Sequence, residues 1–352
     1  MLSPKAIISW LSSKVSTMRL SRIKTLAALV SAAMRRRGVG VLALGRAMIS
    51  STTAKHNIKR VWRFVRNQAV ESQAVSEVIF HESVPARGPV VVLIDWTDMP
   101  PYRSLILALA RRGRAIPFYS LTVAITGAGG MIAAEKRAVA FLQRCLPAHR
   151  HVIIVGDRGF GTVVWIRRLT ALGWHYVLRL KSNLFASGCK LRDLGVRRGS
   201  LAVAWGAVRL TNQCPVTCGL VSTWRAEAAE PWFLATSLEG PPRQVVKLYA
   251  KRMWIELTIR DLKNRRWGMG FGEVRLSDND RMDRLAVVVM LAYFFLCAYG
   301  AVAQRRGMDK GLKANTTNRN VLSLATIGLI TLNKLKIPLQ RAIKYFPKEI
   351  KL

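Results

Sequence analysis

The sequence predicts an α/β protein: a mixed central sheet flanked by helices, with a helical segment before the sheet and a β-rich segment within it. Three observations predict this. Two β-branched runs, VVVLIDWT at 90–97 and HVIIVGDRGFG at 151–161, read as buried strands, and each closes on a carboxylate. Residues 132–146 between them, and 249–263 further on, carry helical spacing. Residues 184–240 break into short alternating runs such as SLAVAWGAVRL and PVTCGLVSTW, with no helical pattern.

Along the chain, 1–85 reads as helical through MRLSRIKTLAALVSAAMRRRG and VGVLALGRAMI. Ser50-Ser51-Thr52-Thr53 then caps AKHNIKRVWRFVRN. That helix sets Lys55, His56, Lys59, Arg60, Arg63 and Arg66 around Val61, Trp62 and Phe64. The pattern fits a helix that packs on its own domain while touching phosphates, and equally a solvated basic face. Pro85 and Gly88-Pro89 end the helical style, and the strand at 90–97 follows. PYRSLILALA and AIPFYSLTVA, joined by a turn at 111–114, read as a hairpin. A helix near 161–172 and the strand WHYVLRL complete the order β-β-β-α-β-α-β. The expected organisation is a helical segment at 1–85, a first core part at 86–183, a β-rich insertion at 184–240, a second core part at 241–303 and a basic tail at 304–352. The tail's apolar patch, VLSLATIGLITL, is a candidate contact for self-association.

Charge narrows the partners. The 352 residues hold 56 Lys and Arg against 19 Asp and Glu, a net charge of +37. Such a chain repels itself without a polyanion, and its cations are interleaved with apolar segments rather than gathered in a tail. Five cysteines form no ladder of the kind that staples small secreted domains, and they suit a reducing compartment. Cys214 and Cys218 lack further ligands at zinc spacing and read as small side chains in a β-rich segment. The first residues, MLSPKAIISWLSSKVS, lack the pattern of a signal peptide. Residues 285–303, LAVVVMLAYFFLCAYGAVA, are uncharged and nearly long enough for a bilayer. Basic residues flank both sides and give no orientation, so a helix buried inside a large domain is the expectation, with no membrane partner.

Where acids are scarce, placed acids stand out. In YAKRMWIELTIRDLK (249–263), Tyr249, Arg252, Glu256 and Lys263 occupy relative positions 0, 3, 7 and 14. At about 100° per residue these fall within roughly 60° of one another on a helix. A phenol, two cations and a carboxylate on one stripe suit a site that holds a metal and a phosphate backbone together; the same spacing also occurs on solvated faces. Asp95 and Asp157 end strands, where functional side chains are often presented and where turn chemistry is equally at home. Together with Glu256 they are three acids on three elements, able to converge on two divalent cations about 3.5–4 Å apart. Hard oxygen ligands favour Mg²⁺, with Mn²⁺ as a substitute. Asp98 is a weaker candidate, a capping or supporting group.

These segments resemble the bacterial insertion-sequence DDE transposases named for a Y-x2-R-x3-E-x6-K signature, insertion-sequence family four. Tyr249, Arg252, Glu256 and Lys263 match that signature at every position, and LIDWTD at 93–98 and VGDRGFG at 155–161 are similar to the segments bearing the family's first two aspartates. The likeness covers about residues 54–300. It implies an RNase H-like core interrupted by the β-rich insertion and preceded by a helical DNA-binding domain. It implies Asp95, Asp157 and Glu256 as the metal-binding triad, with Arg252, Lys263 and Tyr249 on DNA phosphates near the cut. Some members form a hairpin and hold a flipped base against a tryptophan in the insertion; Trp232 has the matching place, and is equally readable as a strand-core aromatic. Cut-and-paste transposition on terminal inverted repeats and target DNA, by a homodimer in the bacterial cytoplasm, follows from the resemblance. Two other readings stay open: a nuclease or resolvase that cuts without joining, and a basic DNA-binding protein without an active site.

Overall fold

A computed structural model describes residues 4–346 apart from 36–37, 112–113, 126–127, 148, 212–213, 267 and 314–321. The centre of the expected 111–114 turn, part of the patch at 321–332 and the end of the tail therefore lie outside the described residues. The chain opens with α1 (Pro4–Ser12), α2 (Leu20–Ala33), α3 (Val41–Ala47), α4 (Ala54–Arg66) and α5 (Ser72–Ser83). Next come β1 (Val90–Met99), β2 (Tyr102–Arg111), β3 (Arg114–Ala124), α6 (Ala128–Cys145), β4 (Val152–Gly156), α7 (Val163–Ala171) and β5 (His175–Arg179). The β-rich stretch holds β6 (Phe185–Ala186), β7 (Cys189–Lys190), β8 (Val203–Leu210), β9 (Val216–Thr223) and β10 (Trp232–Thr236). The chain then runs through α8 (Pro242–Ala250), α9 (Arg252–Lys263), α10 (Asn279–Arg305), α11 (Leu324–Thr331) and α12 (Leu339–Tyr345). The protein is thus mixed α/β, and from β1 to β5 the elements follow the order read from the sequence.

The chain divides into two compact units, with boundaries inside β1 and α9. The first comprises 1–86, 96–147 and 257–352. Its centre is α10, whose apolar residues are buried on every side against α2, α4, α5, β3, α11 and α12. The helix is long and apolar enough to cross a membrane, but its apolar window is wholly buried here. Asp278 starts it by accepting from the Arg281 N–H at 2.8 Å. In α4, Asn57, Val61, Phe64 and Val65 face inward. Trp62, expected in the apolar seam, is instead 39% exposed among the cations. At about 100° per residue, the inward positions leave residue 62 on the opposite side.

Asp283, in the first turns of α10, accepts from the Thr122 N–H at 2.9 Å. Burial pushes its carboxyl up from 3.8 to about 7. The folded state therefore keeps a proton that the unfolded chain releases near 3.8, so stability falls as pH rises across that window. Asp283→Asn keeps an acceptor for Thr122 and removes the ionisation. Its Tm in thermal unfolding is expected to exceed the wild type by a few degrees above pH ~7 and to converge with it near pH ~4.

The second unit comprises 87–95 and 148–256. The start of β1 pairs parallel with β4, and β4 with β5. Beyond β5 the pairing turns antiparallel through β10, β9, β8, β6 and β7. The β-rich stretch therefore extends the same sheet by way of β10. Helices α7 and α8 both cover β5 and β9. Thr162 caps α7, its hydroxyl accepting from the Trp165 N–H at 3.3 Å.

Candidate active site

The parallel ladder between β1 and β4 ends where Ile94 faces Gly156. The next position in register on each chain is an aspartate, Asp95 and Asp157. Both acids therefore stand one residue beyond the last paired positions of two neighbouring parallel strands, which lie about 4.8 Å apart. The structure corrects one expectation: Asp95 does not end its strand, because β1 runs on to Met99. It ends only the part paired with β4. Asp157 opens a turn in which its Oδ1 accepts from the Gly159 N–H at 2.8 Å. That turn lies flat on β5, where a Cβ on Gly161 would come within 1.9 Å of the Arg179 carbonyl oxygen. Only glycine permits this approach.

A second correction concerns the stripe at 249–263. It is not one helix, since α8 ends at Ala250, Lys251 forms a turn, and α9 starts at Arg252. The Lys251 N–H bonds back to Leu248 O at 3.1 Å, a tightening that ends α8. Tyr249 thus belongs to α8, where it is 2% exposed. Arg252 and Glu256 share a face of α9 four residues apart, and Arg252 Nη2 donates to Glu256 Oε1. Its other terminal nitrogen, Nη1, lies 3.8 Å from Asp95 Oδ2. One guanidinium therefore spans two of the three acids. Burial works against its charge, but Tyr249, Glu256 and Asp95 outweigh it and the Arg252 pKa rises. Tyr249 feels the opposite balance. Burial raises the phenol, Arg252 and Arg179 oppose the rise, and Asp157 adds to it.

Trp232, at the start of β10, meets Tyr249 edge to face at 4.8 Å between ring centres. Arg225 Cζ lies 5.8 Å from the Trp232 ring centre. Lys263 belongs to the first unit. Its Nζ donates to the Asp98 carbonyl at 2.6 Å and to Thr97 Oγ1 at 3.3 Å, beside a cleft of about 630 Å³ lined by Lys263, Asn264, Arg265, Arg266 and Glu273. Asp98 is bound through both carboxylate oxygens to Arg103, at 2.5 and 3.2 Å, and that hydrogen bonding lowers its pKa. It acts as a local ion-pair partner.

The geometry carries residues that sequence reasoning passed over. Arg179 opposes the rise of the Tyr249 phenol and, with Arg158, pairs with Glu230. The available signal was a cation as the penultimate residue of WHYVLRL, in an otherwise apolar strand. Glu230 gave no signal, since an acid in a loop is ordinary.

A family model described as a transposase DDE domain matches residues 86–295, well over half of the chain. The chain belongs to that family. Every candidate site residue of this transposase lies inside the matched stretch. No curated protein sequence matches it. Among solved structures, the cryo-EM structure of a piggyBac transposase synaptic complex with hairpin DNA aligns at 12% identity and a TM-score of 0.44, covering 99% of this chain and 84% of that one.

Transposases of the DDE family generally use divalent metal ions. Asp95, Asp157 and Glu256 supply hard oxygen donors, and two of them already gather around a cation, the Arg252 guanidinium. Their chemistry fits a divalent ion. Among the described residues no group of three or more His, Cys, Asp and Glu stands close enough together to hold a metal ion.

Proposed function

We propose that this transposase excises and inserts a mobile DNA element, cutting the element's ends and joining the freed 3′-hydroxyl to target DNA. The observation that supports this most is the Arg252 guanidinium on both Asp95 and Glu256, with Asp157 one residue past the end of the ladder that β4 shares with β1. In this reading Asp95, Asp157 and Glu256 hold two Mg²⁺ ions, with Mn²⁺ able to substitute. Bound there, the ions lower the barrier to attack at phosphorus and stabilise the leaving oxygen. Arg252 keeps the two carboxylates together in the free protein and turns to a DNA phosphate when the strand is bound. Tyr249 supports the same backbone, Lys263 contacts a DNA phosphate near the cut, and Trp232 offers an aromatic ring to a displaced base. The exposed cations and Trp62 of α4 fit the helical segment as the reader of the terminal inverted repeats. Two ends require concerted cutting, hence a homodimer on DNA, in the bacterial cytoplasm at the nucleoid.

The test is a labelled duplex carrying the parent element's end, incubated with Mg²⁺ and target DNA. The expected result is a cut that leaves a 3′-hydroxyl, followed by a joined product, both lost on chelation. A hairpin intermediate would assign the hairpin route. Cutting without any joined product would replace the proposal with a nuclease, and binding without cutting would replace it with a DNA-binding protein.

A further inference from the structure

Glu230, two residues before the start of β10 at Trp232, carries two arginines on a single oxygen. Arg158 Nη2 lies 2.9 Å and Arg179 Nη2 2.8 Å from its Oε1. The two arginines come from different elements. Arg158 follows Asp157 in the turn after β4. Arg179 closes β5, with 13% of its side chain exposed, and donates to the Pro231 carbonyl at 3.4 Å. Beyond Pro231 stands Trp232, packed against Tyr249.

A nearly buried guanidinium is costly without a fixed counter-charge. The pair between Arg158 and Glu230 is half exposed and would contribute little by itself. Joined through one oxygen to Arg179, it becomes part of a network that runs from the Asp157 turn by way of the Pro231 carbonyl to Trp232 and the Tyr249 ring. Acids are scarce in this chain, 19 against 56 basic residues, yet this one serves two cations beside the candidate active site.

We propose that Glu230 is a positioning residue for strand cleavage: by holding Arg158 and Arg179 on one oxygen, it sets the Asp157 turn and the Tyr249 phenol in the geometry that receives the DNA strand. This rests on the reading that Asp157 and Tyr249 serve cleavage. Glu230→Gln keeps the side chain's size and loses its charge, so both arginines are held more loosely. Misplacement by about an ångström costs roughly 100-fold in rate.

The experiment measures single-turnover cleavage of labelled end DNA with Mg²⁺, DNA affinity and Tm for the wild type, Glu230→Gln, Glu230→Asp, Glu230→Gln with Arg158→Ala, and Asp157→Asn. Glu230→Gln is expected to cleave about 10- to 100-fold more slowly at saturating DNA and well below its Tm, with affinity close to wild type and a Tm lowered by a few degrees as Arg179 loses its counter-charge. Glu230→Asp should recover part of the rate. Arg158→Ala added to Glu230→Gln should cost nothing further, because both act through one contact. Wild-type rate in Glu230→Gln, or a loss that merely follows weaker binding or unfolding at the assay temperature, overturns the proposal. So does tighter DNA binding at an unchanged rate, which would make Glu230 only a competitor of phosphate. Asp157→Asn separates the levels: if it cleaves normally, the reading of the active site falls first; if it is inactive while Glu230→Gln is normal, the positioning role alone falls.

Discussion

Glu256→Ala is expected to lower end cleavage by about a thousandfold or more while leaving affinity for end DNA within a few-fold. Removing one carboxylate from a set that gathers divalent cations forfeits several kcal/mol of transition-state stabilisation, and about 4 kcal/mol is a thousandfold in rate. Binding should survive because the phosphate contacts belong to cations, which the substitution leaves in place and relieves of a competing negative charge. The fold should survive as well. The Glu256 side chain is 37% exposed, and its contact is the pair with Arg252 on the same helix. Arg252 retains Asp95, 3.8 Å away. Single-turnover cleavage of 5′-labelled end DNA, beside fluorescence anisotropy of the same duplex, separates the two effects. Equal cleavage by both proteins would reduce Glu256 to a structural partner of Arg252 and dismantle the acid cluster as an active site.

Gly300→Ala is expected to give the largest loss of stability among the substitutions considered. A Cβ on Gly300 of α10 would stand 1.9 Å from the Leu324 carbonyl oxygen, and one on Gly328 of α11 would stand 2.0 Å from Leu296 O. The two helices therefore meet backbone to backbone, and each glycine makes room for the other chain. No flexible side chain is there to give way, so α11 as a whole must move off a helix buried on every side. Overpacking of this kind costs about 3 kcal/mol or more, roughly 4–6 °C in Tm for a chain of this size. Gly311→Ala is the control, because a Cβ there meets nothing within 4 Å and its backbone is ordinary. Thermal unfolding of both variants checks the contrast. Equal Tm values would mean that the α10–α11 contact relaxes freely.

Local chemistry made much of this legible in advance. Strands β1 and β4 announce themselves as β-branched runs with acids just beyond their shared ladder, because paired strands buried on both faces tolerate little else. The hairpin of β2 and β3, the helix after it and the apolar α10 were visible for the same reason. Charge and the spacing of Tyr249, Arg252, Glu256 and Lys263 pointed to a phosphate-handling site.

Other features depend on neighbours that sequence order does not reveal. The break at Lys251 leaves Arg252 and Glu256 on one helix face and sends Tyr249 onto Trp232, although helical periodicity alone reads the stretch as continuous. Trp62 turned outward because Asn57, Val61, Phe64 and Val65 already fill the inner face of α4. Glu230 became notable only when folding brought Arg158 and Arg179 to the same oxygen.

The sequence by itself determined the α/β character, the order of elements from β1 to β5, the basic surface and the identity of the candidate acids, since composition and periodicity act locally. Only the tertiary structure decided which acids share a cation, which aromatic meets Tyr249, and which loop acid pairs with both Arg158 and Arg179. Those are contacts between residues distant in sequence, fixed by strand register and packing.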